Sequence, residues 1–122
     1  MQCPCNPNKL YADCCKKAHK NITSVSSAEE LMRSRYAAFV LADVEYLQIS
    51  HHSSTRSSTK EKNETLDWTK SVDWIKLDII NSTKNTVEFK AFFMEKGKLE
   101  IIHENSFFCL ENGHLVYKNA IH

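Results

Sequence analysis

The sequence predicts an α+β fold, with helices packed on a curved antiparallel sheet and a small cysteine-bearing segment ahead of both. Three observations carry this. Helical periodicity is concentrated in residues 28–50, period-two alternation dominates after residue 72, and four of the five cysteines lie within the first fifteen residues. The 122 residues are 42% hydrophobic and 25% charged, with two Gly and two Pro, which is enough apolar side chain for one core and argues against disorder. Sixteen basic residues against fifteen acidic give a net charge of +1, so no nucleic-acid or acidic-membrane partner is expected. No apolar run of about 18 residues occurs, and Met1-Gln2-Cys3-Pro4-Cys5 holds no apolar signal core. The expected location is cytoplasmic, so the Asn-x-Thr patterns at Asn21, Asn63 and Asn81 read as chance.

The elements follow in order. Ser24 to Ser27 form a polar hinge between a segment at 1–24 and a main domain at 25–122. Ser27-Ala28-Glu29-Glu30 is a capping box, and a helix should run through "AEELMRSRYAAFVLA" with Met32, Tyr36, Phe39 and Val40 on one face. Asp43 caps a short second helix, "VEYLQIS", with Val44 and Leu47 inward. Residues 53–65 are polar and read as loop, and "LDWTK" as a single helical turn. Strands are expected at 72–80, 86–94, 99–110 and 114–121, with Val87, Phe89, Ala91 and Phe93 on one side of the second. The third is long enough to bend, with a bulge expected near Glu104-Asn105, and Asn112-Gly113 is a hairpin turn. A curved sheet of this kind leaves a conical pocket between sheet and helix. Cys109, alone in the third strand, reads as an inert buried thiol.

Cys3, Cys5, Cys14 and Cys15 stand as C-x-C, eight residues, then C-C. A reducing compartment disfavours disulfides, and adjacent cysteines make a strained one. No C-x-x-C redox motif beside a strand–helix unit is present. Four thiolates suit a closed tetrahedral zinc site, which shapes a segment too small to fold alone. Pro4, Asn6, Pro7 and Asn8 are turn formers that would curl the chain around the sulfurs. Unmetallated cysteines and a catalytic metal are the alternatives, and His19 is a candidate to replace one cysteine as ligand.

This cysteine run resembles the SEC-C motif, the zinc-binding tail of the SecA translocation ATPase and of many smaller proteins. All four ligand positions match, although Asn6-Pro7-Asn8-Lys9 stands where glycine-serine-glycine-lysine is usual. Asparagine can also take positive φ, so the turn is expected to survive. Residues 31–47, 51–56, 87–89 and 103–108 look like the YchJ-like family of bacterial proteins, which joins a SEC-C motif to a nuclear-transport-factor-2-like domain. The resemblance covers about residues 3–117 and implies that cone-shaped fold. It departs at Ser50-His51-His52-Ser53, where threonine-tryptophan-histidine-proline is usual, and at Asn105, where arginine is usual. Some members carry a second SEC-C motif, and this chain ends before one. The family brings no assigned reaction.

The candidate pocket residues are Arg33, Tyr36, His52, Arg56, His103 and Glu104. Arg33 and Arg35 project about 200° apart on a helix, so at most one faces the core, paired with Glu104 or with an anionic ligand. His51, His52 and His103 lack metal-ligand spacing, and His103 and Glu104 point to opposite faces of a strand. Lys9, Lys16 and Lys17, with Lys20, form a basic face beside the cysteines, which is either a docking surface or simply solvated. Three functions are open: a binding module that docks a protein through the zinc knuckle and holds a small ligand in the cone, a small enzyme, or a zinc cap on a ligand-binding domain. The sequence assigns no catalytic residue, ligand identity or oligomeric state.

Overall fold

The computed structural model describes residues 1–121. A two-stranded ribbon, β1 (Gln2–Cys3) and β2 (Asn6–Leu10), precedes a short helix α1 (Cys15–Lys20). Three helices follow, α2 (Ala28–Leu41), α3 (Val44–Ile49) and α4 (Thr59–Ser71). The chain then runs as an antiparallel meander of β3 (Asp73–Ser82), β4 (Thr86–Glu95), β5 (Lys98–Glu111) and β6 (His114–Ile121), in that spatial order.

Local chemistry sets the ends of the helices. The Ser27 hydroxyl accepts from the Glu30 amide, and the Glu30 carboxylate accepts from the amide and hydroxyl of Ser26. At the other end Ala42 takes a left-handed φ of +57°, and its N–H caps the carbonyls of Ala38 and Phe39. Asp43 then caps α3 at Tyr46 N. Leu47 is buried as expected, and Val44 is half-buried against the core.

Residues 53–65 are not all loop, because α4 begins at Thr59 and runs through "LDWTK". Its signal is a second capping box, in which Ser58 Oγ accepts from Glu61 N and donates to the Glu61 carboxylate. Its buried stripe, Lys62, Leu66 and Thr69, has only one apolar member, so hydrophobic periodicity misses it.

The sheet follows its alternation. Val87, Phe89, Ala91 and Phe93 are all buried. The Asn112-Gly113 turn has positive φ at both residues. The bulge lies elsewhere than expected. Pairing of β4 with β5 is continuous through Glu104 and Asn105, and the irregularity falls between Phe107 and Phe108, against β6. The unpaired residue is Lys118 on β6, so β5 keeps its alternation and Phe108 enters the core at 0% exposure. Leu31, Tyr46, Leu47, Val87, Phe108 and Val116 are each at most 1% exposed, so packed side chains fill much of the space between helices and sheet where the conical pocket was expected.

Candidate metal centre

The ribbon brings the first two cysteines beside the last two. Gln2 pairs with Leu10 and Cys3 with Asn6, and Tyr11 N donates to Met1 O. Asn6 Oδ1 accepts from Asn8 N in a local turn. Both asparagines lie in β2, and neither takes the positive φ expected of them. Cys14 precedes α1 and Cys15 opens it, which points both sulfurs back at the ribbon. Cys5 Sγ lies 3.6 Å from Cys3 Sγ and 3.5 Å from both Cys14 and Cys15, and Cys14 is 4.0 Å from Cys15. All four sulfurs fall within 4.8 Å of one another and can hold a metal ion.

The thiols also tune one another. The hydrogen bond from Cys15, helped by those from Cys14 and Cys3, holds the Cys5 thiol down to about 5. Burial and the neighbouring Cys5 push Cys14 up to about 11, and the bond to Cys5 with burial pushes Cys15 up as well. A metal ion takes thiolates, so loading the site displaces protons from Cys14 and Cys15.

His19 is not among the converging ligands. Its Nε2 donates to Ser34 O at 2.8 Å, its Nδ1 meets the Tyr11 hydroxyl at 2.7 Å, and its ring packs on Tyr46. Arg33 is a second tie between knuckle and helix. Its Nη1 donates to Cys5 O at 3.1 Å and its Nε to Glu29 at 3.1 Å. Beside these ties lies a cleft of about 690 Å³, lined by Lys9, Cys14, Lys17, Ser26, Glu29 and Arg33 among others. Lys16 and Lys20 are exposed on the outer side of α1.

The six pocket candidates do not come together. Arg33 belongs to the knuckle tie. Tyr36 is buried edge-on to Trp74. His103 is on the outer face of the sheet, 2.8 Å from Glu88. His52 and Arg56 lie on the loop before α4, both directed at Glu111, whose carboxylate also accepts from Ser53 and is thereby held below its usual range. Glu104 faces inward, accepting from the Tyr117 hydroxyl at 2.9 Å. The inward arginine is Arg35, and it does not pair with Glu104. It donates to Leu47 O at 3.1 Å and Ser50 Oγ at 2.7 Å, and its guanidinium stacks 5.0 Å from the Tyr117 ring. Burial pushes it down to about 10. Cys109 is half-buried, not fully enclosed.

Sequence reasoning weighed His51 only as a metal ligand and passed over Lys62 and Tyr117. His51 bridges β6 at Tyr117 and packs edge-on against its ring. Lys62 Nζ lies 3.3 Å from His51 Nδ1. The signal available was the polar exception in the buried stripe of α4.

The family model described as YchJ, middle NTF2-like domain, matches residues 27–120. The chain belongs to this family. A UPF0225 protein of Vibrio vulnificus is 40% identical over 117 residues, covering 91% of this chain and 69% of the relative. One from Shewanella sp. strain ANA-3 is 34% identical over 94% of this chain and 77% of its own length. Two solved structures share the fold. A SEC-C motif containing protein from Rhodopseudomonas palustris has a TM-score of 0.76 at 29% identity, covering 99% of this chain and 98% of that one. Another, from Psychrobacter arcticus, has a TM-score of 0.70 at 30% identity, covering 97% and 79%. The YchJ-type domain thus carries a SEC-C cysteine cluster at its N-terminal side, as the resemblance implied. No helix among the described residues is long and apolar enough to cross a membrane.

Proposed function

We propose that the four cysteines hold a structural zinc ion and that the knuckle they shape is a docking module for a protein partner in the cytoplasm. A tetrahedron with metal–sulfur bonds of about 2.3 Å has edges of about 3.8 Å. Four sulfur–sulfur contacts of 3.5 to 4.0 Å fit those edges, and all four sulfurs lie within 4.8 Å of one another. Four protein sulfurs close the coordination, so the zinc would supply shape and no activated water. The observation that carries the docking reading is where the open space lies. The cone is largely packed, while the cleft of about 690 Å³ runs beside the knuckle. Lys9 and Lys17 line it, and among the described residues neither makes an ion pair.

Two measurements test this. Elemental analysis of the purified chain should give close to one zinc per molecule, and a metal content near zero overturns the zinc assignment. A photo-crosslinker placed at Lys16 should trap one discrete protein in cells. Lys9→Glu with Lys17→Glu should abolish that adduct while zinc content and fold are retained. An adduct unaffected by charge reversal, or none at all, favours the second reading, a zinc cap. That reading has its own support, because Cys3, Cys5 and Cys15 belong to the same continuous core as α2 and the sheet.

A further inference from the structure

Two cations lie inside this molecule without a carboxylate in contact. Lys62 and Arg35 are each only 5% exposed. Among the described residues neither makes an ion pair. Burying unpaired charge is costly, and native proteins ordinarily pair it or use it. The nearby acids are already engaged, Glu104 by the Tyr117 hydroxyl and Glu111 by Ser53, His52 and Arg56.

Several donors of these groups are left over. Arg35 directs Nη1 alone at protein acceptors, which leaves Nε and Nη2 of its fork without one among the described residues. The Lys62 ammonium, donating to His51 Nδ1 at 3.3 Å, spends one of three N–H bonds there. That contact places the His51 proton on Nε2, so the imidazole offers another N–H. Tyr117 is common ground, with Arg35 stacked 5.0 Å from its ring and His51 edge-on at 5.2 Å.

We propose that Arg35, His51 and Lys62 form a binding site for a small oxyanion, a carboxylate or phosphate group, on the inner side of α4. The Glu104 carboxylate on the Tyr117 hydroxyl acts on Arg35 only through space, and an oxyanion would add negative charge and several acceptor oxygens in direct contact. Arginine's planar fork and lysine's ammonium suit either class. The electrostatics agree: burial first, then the positive charges of Arg35 and Arg56, lower both His51 and Lys62, and at His51 the charges of Lys62 and His52 add to this. Lys62 is the one buried side chain of residues 59–65, which places its ammonium beneath the first turns of α4. The proposal is independent of the docking surface, which lies beside the knuckle.

The test uses the full zinc-loaded chain with sodium phosphate, sodium acetate and sodium chloride at matched ionic strength. At tenfold excess over its dissociation constant, one oxyanion should raise the melting midpoint by about 5 °C beyond chloride. Lys62→Met should abolish that gain, while Lys62→Arg and the surface control Lys84→Met should keep it. Should Lys62→Met fail to fold, the wild-type protein answers alone. The Arg35 Nε–H resonance should then shift saturably with phosphate or acetate and not with chloride. Equal midpoints in all three salts, an Lys62→Met variant that still responds, or an Arg35 resonance that does not move each overturns the proposal.

Discussion

Arg33 and Arg35 stand two residues apart on one helix and serve opposite halves of the molecule. Arg33 turns outward to the knuckle and ties Cys5 O to Glu29. Arg35 turns inward, where it meets the end of α3 and the Tyr117 ring. The 200° between them places one on each side of α2. The two halves are held by different means. In the knuckle, four polarisable ligands within fifteen residues converge through a short ribbon and one helical turn. In the cone, side chains from α2, α3, β4, β5 and β6 pack into one apolar body. Local covalent spacing makes the first, and long-range burial makes the second.

This contrast has measurable consequences. Cys5→Ser should have the largest effect, because Cys5 Sγ contacts all three other sulfurs. If the proposed zinc is bound, its loss would remove roughly 10–16 kcal/mol of apparent binding free energy. Hydrogen exchange should then show residues 1–20 unprotected while β4 and β5 stay protected. If the sheet is lost as well, the two halves are one cooperative unit and the contrast fails.

Phe108→Ala should act in the opposite sense. It empties a fully buried position and should cost about 3–5 kcal/mol in urea unfolding. Its folded fraction should still carry zinc.

A smaller effect isolates the cone through pH. Burial, then the charges of Arg35, Lys62, Arg56 and His52, lower His51 to about 4 from its ordinary 6.5. Between those values the unfolded chain takes up a proton that the fold refuses. Stability from this group is therefore complete above pH 6.5 and is lost as pH falls toward 4. The loss should reach about 2 kcal/mol after solvent screening at this half-buried ring. Acid also reprotonates the cysteines, so the quantity to measure is the difference between wild type and His51→Asn in urea midpoints at pH 7 and pH 5. Parallel pH responses in the two proteins would remove His51 from the account.

How much was legible beforehand follows the same division. The cysteine cluster could be read because its members are neighbours in sequence, and C-x-C followed by C-C is a pattern of spacing. The Ser27 capping box, the alternation from Val87 to Phe93 and the Asn112-Gly113 turn were legible for the same local reason. Helix α4 was not, because Lys62 and Thr69 stand on its inner stripe where apolar residues signal burial. His19 read as a spare ligand, although its two nitrogens meet Tyr11 and Ser34. Strand alternation did send His103 and Glu104 to opposite faces as read, but it could not show that their partners are Glu88 and Tyr117.

By itself, then, the amino-acid sequence determined the α+β class, most strand limits and the four converging sulfurs. Each depends on residues a few positions apart, and backbone geometry converts such spacing directly into direction. Only the tertiary structure decided that the cone is largely packed, that open space lies beside the knuckle, that Lys62 meets His51, and that Arg35 and His51 both pack on Tyr117. Those outcomes depend on how side chains from segments up to about 80 residues apart fill a shared volume. No local pattern encodes that.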